Sequence, residues 1–147
     1  MSTYTFVIDI AADRDAVFAL WTNLERAPEW IEGLAGYEDV SGPADQAGTT
    51  YTVRFGSWSK SRTNVLESEP PRYLRVKFGN WFLRGEQSAT FETSSTGTRL
   101  TQTFKTVGII PAITARIFAS GSYKGSFRGE LETFKNICER EAASPVT

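Results

Sequence analysis

The amino-acid sequence predicts an α+β fold in which a curved antiparallel sheet of about seven strands wraps around a long C-terminal helix, with two short helices after strand 1. Two observations carry this prediction. Helical spacing occurs only near the start and the end of the 147-residue chain, and strand-like alternation fills the region between. In almost every predicted strand the charged residues take one face and the rings the other, which is typical of an antiparallel sheet with one solvated face. No linker or repeat interrupts this pattern, so we predict a single domain over residues 1–147.

The first predicted elements are a strand and two short helices. The stretch TYTFVIDI, at residues 3–10, alternates as a strand does. The spacing then becomes helical in AADRDAVFALWTN, where Asp13 can cap the helix start. The following stretch LERAPEWIEGL, at residues 24–34, is predicted as a second short helix that carries Pro28 in its first turn.

Strands and turns are predicted from Gly36 to about residue 107. They include TTYTVRFG, SWSKSRTNVLESE, RYLRVKF, WFLRGEQSATFET and TRLTQTFKT. Gly79 and Asn80 are predicted to form a two-residue hairpin turn, and the stretch SSTG forms another turn before the last strand.

The last long element is predicted to be a helix that begins near Pro111, ends near Ala143 and covers the sheet. On a helical wheel one face of this segment is apolar and carries Ile113, Phe127, Leu131, Phe134 and Cys138.

Three glycines recur every fourth residue in this helix, at Gly121, Gly125 and Gly129. Each costs about 1 kcal/mol of helix stability relative to alanine. The wheel places them on the flank and back of the helix rather than toward the core. Three interpretations stay open: a kink that lets the helix act as a lid over a cavity, close packing against another backbone such as a second copy, or a weak surface helix that is tolerated.

The composition excludes several classes of site. The chain has no histidine, which excludes His-based catalytic triads and His-ligated metals, and it has a single cysteine, Cys138, which we interpret as a small buried side chain. The net charge is −1 and no basic run occurs, so we predict no nucleic-acid partner. No apolar stretch is long enough to span a membrane, and the start lacks the features of a signal peptide. We therefore expect a cytoplasmic protein without metal or cofactor.

Several stretches resemble a known superfamily. FVIDIAADRDAVFALWTNLERAPEWIEGL is similar to the opening of the START-like (SRPBCC) superfamily, especially its polyketide cyclase/dehydrase and lipid-transport branch. TGTRLTQTF resembles the last strand of that family, and LETFKNICERE resembles its closing helix. The resemblance implies the helix-grip fold and a deep cavity between the sheet and the last helix. Family members bind lipids, sterols, polyketides or other apolar molecules there, some catalyse cyclisation or dehydration, and some assist chaperone ATPases. The branch with a His-held iron is excluded here.

Combining this implied cavity with the strand faces gives a set of predicted ligand contacts. Most are apolar or aromatic, and Thr63, Gln102 and Tyr123 could bond a polar group of the ligand. The residues are Tyr51, Val53, Phe55, Thr63, Val76, Phe78, Trp81, Leu83, Phe91, Gln102, Phe104, Ile113, Ile117 and Tyr123. No pair of carboxylates indicates a catalytic centre, and the catalytic residues stay unassigned.

Three functions are compatible with these patterns. The first is a carrier of a small hydrophobic ligand such as a lipid, polyketide or isoprenoid-like molecule. The second is an enzyme of the cyclase, aromatase or dehydratase type, in which Gln102, Tyr51 or Tyr123 would polarise a carbonyl. The third is an adaptor that binds another protein through Trp58 and the glycine flank. The protein is expected to be a monomer or a homodimer.

Overall fold

The computed structural model describes residues 2–31, 33–55, 59–79, 84–107 and 127–143. Within these residues lie seven strands and two α-helices, which confirms the predicted class of fold. The strands are β1 (Ser2–Ile10), β2 (Leu34–Glu38), β3 (Thr50–Phe55), β4 (Ser59–Glu69), β5 (Tyr73–Gly79), β6 (Arg84–Ser94) and β7 (Gly97–Val107). The helices are α1 (Arg14–Trp21) and α2 (Phe127–Ala143), and a single 3-10 turn spans Ala27–Glu29.

All seven strands form one antiparallel sheet in the order β1-β7-β6-β5-β4-β3-β2. The central strand is β5, and β1 and β2 are the two edges. The first strand pairs along its whole length with the last, from Ser2 opposite Thr106 to Ile10 opposite Thr98. From β2 to β7, each strand pairs antiparallel with the next strand along the chain.

The predicted alternation of faces is confirmed in β5. Leu74 and Val76 are buried on the inner face, whereas Lys77 is exposed on the outer face. Arg75 also lies on the outer face, where it pairs with Glu67 of β4 and Glu86 of β6. The outer face is therefore the solvated one, and apolar side chains line the inner face.

The predicted second short helix is wrong. The chain forms only the 3-10 turn at Ala27–Glu29, with Pro28 near its start, and β2 begins at Leu34 inside the stretch predicted to be helical. Gly33 has a φ of 83°, a backbone conformation that ends any helix and turns the chain toward the sheet. Leu34 then pairs with Phe55 of β3.

The predicted two-residue turn at Gly79 and Asn80 is also wrong. Gly79 still pairs with Arg84 of β6, so the connection spans residues 80–83, which lie outside the described residues. The apolar alternation stops at Phe78, but backbone pairing needs no side chain and continues through the glycine.

The densest part of the core lies where α1 and α2 pack against the sheet. Phe134 of α2 is fully buried between Trp21 and Trp30, with ring centroids 5.2 and 5.0 Å away. Phe91 of β6 is fully buried against Phe18 and Trp21 of α1. The Trp30 ring is buried and packs on the C-terminal helix.

Among the described residues, two hydrogen bonds join helix α2 to β1 and to the residue that follows it. The Arg128 guanidinium donates to the carbonyl oxygen of Val7 at 2.8 Å, and the backbone N–H of Ala11 donates to Glu139 Oε2 at 2.8 Å. Both bonds satisfy backbone groups at the edge of the sheet. They hold the buried face of α2 over the inner face of the sheet, and Cys138 is a buried, free thiol on that face, as predicted.

Of the three spaced glycines, the structure describes one. Gly129 is buried in α2, so its position on the flank and back of the helix is covered. Gly121, Gly125 and Trp58 lie outside the described residues, and the interpretations that depend on them stay predictions.

Candidate ligand-binding face

The inner face of the sheet has a closed half and an accessible half. In the closed half, Ile10, Phe91 and Leu100 are 0% exposed beneath the two helices. In the accessible half, the inward-facing rings and aliphatic groups of Val53, Phe55 and Phe78 are only half-buried, although the smaller Thr63 is buried. The burial pattern therefore indicates that one half of the inner face is packed core and that the other half is partly exposed to solvent.

One row of inward-facing residues crosses the accessible half from strand to strand. Tyr51 pairs with Thr63, and Thr63 pairs with Phe78. Phe78 pairs with Gly85, and Gly85 pairs with Thr106. The row brings three predicted site residues together: an aromatic hydroxyl, an aliphatic hydroxyl and an apolar ring.

Gly85 leaves a gap in this row. A Cβ atom at that position would lie 2.1 Å from the backbone oxygen of Lys105 in β7, so no side chain can be placed there without shifting the backbone. The inner face therefore carries no side chain between Phe78 and Thr106.

A second row lies one pleat closer to the core. Val76 of β5 pairs with Gln87 of β6, and Gln87 pairs with Phe104 of β7. Gln102, two residues before Phe104, pairs with Phe6 of β1 and is buried. These positions place two amide side chains on the inner face of neighbouring strands.

An aromatic cluster marks the boundary between the two halves. The Phe104 ring stacks on Phe127 of α2, with centroids 4.7 Å apart. Phe6 and Phe78 contact the same Phe104 ring edge to face, each at 6.4 Å. The cluster forms a floor beneath the accessible half, because beyond it the inner-face residues are closed off by the helices.

The predicted site residues do not all fall in one place. Phe91 lies in the closed core against α1, away from the accessible half. Five others lie outside the described residues: Trp81, Leu83, Ile113, Ile117 and Tyr123. The described members of the accessible half and its boundary are Tyr51, Val53, Phe55, Thr63, Val76, Phe78, Gln102 and Phe104.

Three inward-facing residues were missed by sequence reasoning. Gln87 and Thr106 share the parity of the buried neighbours Ala89 and Phe104, so strict alternation could have found them. Tyr37 pairs with Val53, but a register shift between Leu34 and Gly36 hides the alternation of β2. Its ring meets that of Tyr51 edge to face at 5.5 Å.

The inner face carries unsatisfied hydrogen-bonding groups. Thr63, Gln102 and Thr106 are each at most 6% exposed, and in the described part of the chain their side chains form no hydrogen bond. The Nε atom of Arg14 is fully enclosed without a hydrogen bond. The polar atoms of these three residues are not fully enclosed, so they can still be reached by solvent or a ligand. Buried polar groups are nearly always bonded, which makes these side chains candidates for bonds to a ligand or to water.

The electrostatics of this face disfavour negative charge. Burial raises the pKa of the Tyr51 phenol to about 12, and burial also raises the pKa of Tyr37. Both phenols are thus neutral near pH 7 and can donate a hydrogen bond. Charged side chains of β5, such as Arg75 and Lys77, lie on the opposite face.

Neither a metal site nor a membrane-spanning helix is found among the described residues. No three His, Cys, Asp or Glu side chains in those ranges are grouped so that they could hold a metal ion. None of the helices described there has the length and apolar character needed to cross a bilayer. The described inner-face side chains offer apolar contact and neutral hydrogen bonding.

Comparison with known proteins agrees with this geometry. A family model described as "Polyketide cyclase / dehydrase and lipid transport" matches residues 1–139. No curated protein matches the sequence.

Solved structures share the fold at low sequence identity. A crystal structure of a Mesorhizobium loti protein is 17% identical with a TM-score of 0.72, covering 95% of this chain and 98% of the other. The solution structure of the Aha1 dimer from Colwellia psychrerythraea is 18% identical with a TM-score of 0.71, covering 95% and 97%. The di-domain ARO/CYC protein StfQ from the steffimycin biosynthetic pathway is 14% identical with a TM-score of 0.71, covering 96% of this chain and 51% of the other.

Proposed function

Because this chain belongs to the polyketide cyclase/dehydrase and lipid transport family, we propose that it binds a small hydrophobic ligand between the sheet and the C-terminal helix. A lipid, a polyketide or an isoprenoid-like molecule would fit the chemistry of this face. The observation that carries the proposal is the division of the inner face. Val53, Phe55 and Phe78 point inward yet are only half-buried, whereas Phe91 and Leu100 on the same face are closed off.

Burial of apolar surface would provide the binding energy. Each Å² of apolar surface removed from water contributes about 25 cal/mol, so a ligand that covers roughly 200 Å² gains about 5 kcal/mol before the costs of association. Tyr51, Val53 and Phe55 form one side of the contact surface, and Phe78 and Phe104 form the other.

The remaining parts of the site stay predictions. Trp81 and Leu83 are expected to extend the apolar wall, and Ile113, Ile117 and Tyr123 are expected to cover it from the helical side. The protein is expected to act as a monomer or homodimer in the cytoplasm; a structural relative from Colwellia psychrerythraea is a dimer in solution.

A second candidate function is an enzyme of the cyclase, aromatase or dehydratase type that uses the same surface. Similarity of fold to an ARO/CYC protein makes it worth testing. The neutral phenol of Tyr51 and the amide of Gln102 can each donate a hydrogen bond to a substrate carbonyl. As an enzyme, the protein should lose turnover in Gln102→Ala, Tyr51→Phe and Tyr123→Phe; as a carrier, it should change only in affinity.

Native mass spectrometry on protein purified without detergent tests the binding proposal directly. We expect an additional mass of a few hundred daltons that is released on denaturation and extraction. Phe78→Ala should reduce its occupancy, because an inward-facing contact is lost. Lys77→Ala is the matched control, since it alters the neighbouring residue on the outer face.

Two results together would overturn the proposal. They are a protein mass without any bound molecule and no stabilisation by a panel of lipophilic compounds. A protein partner would then be the better explanation of the accessible surface.

A further inference from the structure

The central strand divides the polar groups of the inner face into two sets. Only apolar side chains of β5 face inward, namely Leu74, Val76 and Phe78. On one side of β5 lie the hydroxyls of Tyr37, Tyr51 and Thr63, on β2, β3 and β4. On the other side lie Gln87, Gln102 and Thr106, on β6 and β7.

Both sets contain polar side chains that could form hydrogen bonds to a ligand. Thr63 in the first set and Gln102 and Thr106 in the second are more than nine-tenths buried, and within the described residues their side chains are unbonded. Protein interiors rarely leave such groups without a partner. A ligand lying across β5 would therefore find a donor or acceptor at each end and an apolar surface in the middle.

The described strands present no charged side chain on the inner face. Arg75 of β5 is turned outward and paired with Glu67 and Glu86. On the inner face of the described strands, a ligand group of either charge would find no opposite charge, so burying it there is costly.

The strand spacing sets the separation of the two polar sets. Neighbouring strands lie about 4.8 Å apart, so β3 and β6 are separated by about 14 Å along the sheet. Tyr51 on β3 and Gln87 on β6 represent the two ends of that span.

From this arrangement we infer that the ligand is an uncharged, elongated molecule with an apolar middle and a hydroxyl or carbonyl oxygen at each end, about 14 Å apart. This inference rests on the proposed binding function and specifies the chemistry of the ligand. It predicts selection against carboxylates, such as free fatty acids, and against molecules with a single polar end.

Four probes of one chain length test the inference: 1,10-decanediol, 1-decanol, decanoic acid and decylamine. Their affinities are measured at pH 7.5 by displacement of Nile red, an uncharged dye, from the wild type and two double variants. Tyr51→Phe/Thr63→Val removes hydroxyls from one end, and Gln87→Leu/Gln102→Leu removes amides from the other. A third variant, Gln87→Leu alone, changes a half-buried residue and tests the second end if the double variant fails to fold.

We expect each double variant to weaken the diol by about three- to tenfold, the worth of one or two hydrogen bonds. The change for 1-decanol should stay below about twofold, because a single hydroxyl can use whichever end is intact. Decanoic acid and decylamine should bind the wild type more weakly than 1-decanol does.

The other outcomes separate the two proposals. Equal or tighter binding of the acid or the amine, or a diol affinity that neither variant changes, overturns the inference and leaves the binding function intact. The binding function itself is wrong if Nile red does not bind, neither the four probes nor the wider lipophilic panel raises the melting temperature, and native mass spectrometry finds no bound molecule.

Discussion

The ring of Phe127, at the start of α2, stacks on the ring of Phe104 in β7 with centroids 4.7 Å apart and planes inclined by 22°. Phe6 meets the Phe127 ring edge to face at 6.3 Å. This contact connects the helix to the sheet at the boundary between the closed core and the accessible face.

Phe127→Ala should therefore reduce the free energy of unfolding by about 3 kcal/mol, as expected for removing a buried ring from a packed core. Urea denaturation followed by fluorescence measures the change. Asn136→Ala, on the exposed face of the same helix, should change the free energy of unfolding by less than about 0.5 kcal/mol. A loss below about 1 kcal/mol in the Phe127 variant would show that the helix start contributes little to stability.

Gly85→Ala should destabilise the sheet by about 2 kcal/mol, because the added Cβ would lie 2.1 Å from the Lys105 oxygen and the strands must move apart. Gly42→Ala is the control, since its Cβ would meet only the side-chain hydroxyl of Thr49 at 3.2 Å. Thermal unfolding of both variants gives the comparison. Equal melting temperatures would mean that β6 and β7 separate here at no cost.

The Tyr51 phenol should ionise at a higher pH than an exposed tyrosine does. Burial raises its pKa to about 12 from the usual 10.0, so its neutral form stabilises the folded state fully below pH 10, and that contribution is lost as the pH rises toward 12. Spectrophotometric titration of the phenols should show a late component that is missing in Tyr51→Phe. The variant should also lose less stability between pH 10 and 11 than the wild type does. A Tyr51 phenol that ionises near pH 10 would contradict the burial shown here.

The ion pair between Arg26 and Glu141 should make a small contribution to the free energy of unfolding, and this contribution should disappear at acidic pH. Arg26 lowers the pKa of the Glu141 carboxyl from its usual 4.5. The pair is therefore fully formed above pH 4.5 and is lost as the pH falls through the lowered pKa. Because both side chains are partly exposed, Glu141→Gln should cost at most about 1 kcal/mol at pH 7 and less in high salt. The difference from the wild type should vanish near pH 2, as measured by urea denaturation; a difference that persists there would indicate another origin.

Cys138 should be unreactive in the folded protein. Burial raises the pKa of its thiol to about 12, so almost no thiolate exists at pH 8. Ellman's reagent should modify the native protein slowly and the urea-unfolded protein within minutes. Rapid modification under native conditions would show that α2 opens readily from the sheet.

Much of the fold follows from alternation, and the parts that do not follow have identifiable causes. The face of the sheet on which a residue lies can be predicted for Leu74, Arg75 and Val76, because the polarity of each side chain matches its environment. Gly79 gives no such signal, since its pairing depends on backbone bonds alone. Leu66 is exposed because it follows the inward-facing Val65. The register shift between Val65 and Glu67 then places Glu67 on the outer face as well, beside Arg75, and alternation alone does not indicate that shift.

The candidate site is less predictable than the fold because parity assigns a face but not a depth. Phe55 and Phe91 both follow the inward parity of their strands. Phe55 is half-buried in the accessible half, and Phe91 lies fully enclosed against α1. That difference arises from the helices that cover one half of the sheet, and no single strand encodes where a helix will lie.

The pairing of the first strand with the last also shapes how the molecule assembles. Ser2 pairs with Thr106, which lies about a hundred residues later in the chain. Until β1 pairs with it, β7 is an edge strand of the sheet. During synthesis the hairpins from β2 to β7 can form one after another, while β1 stays unpaired until the end of the sheet emerges. Closing this longest loop is expected to be the slow step of folding. Mutations in the β1–β7 ladder should therefore slow folding more than mutations in the hairpin between β3 and β4 do.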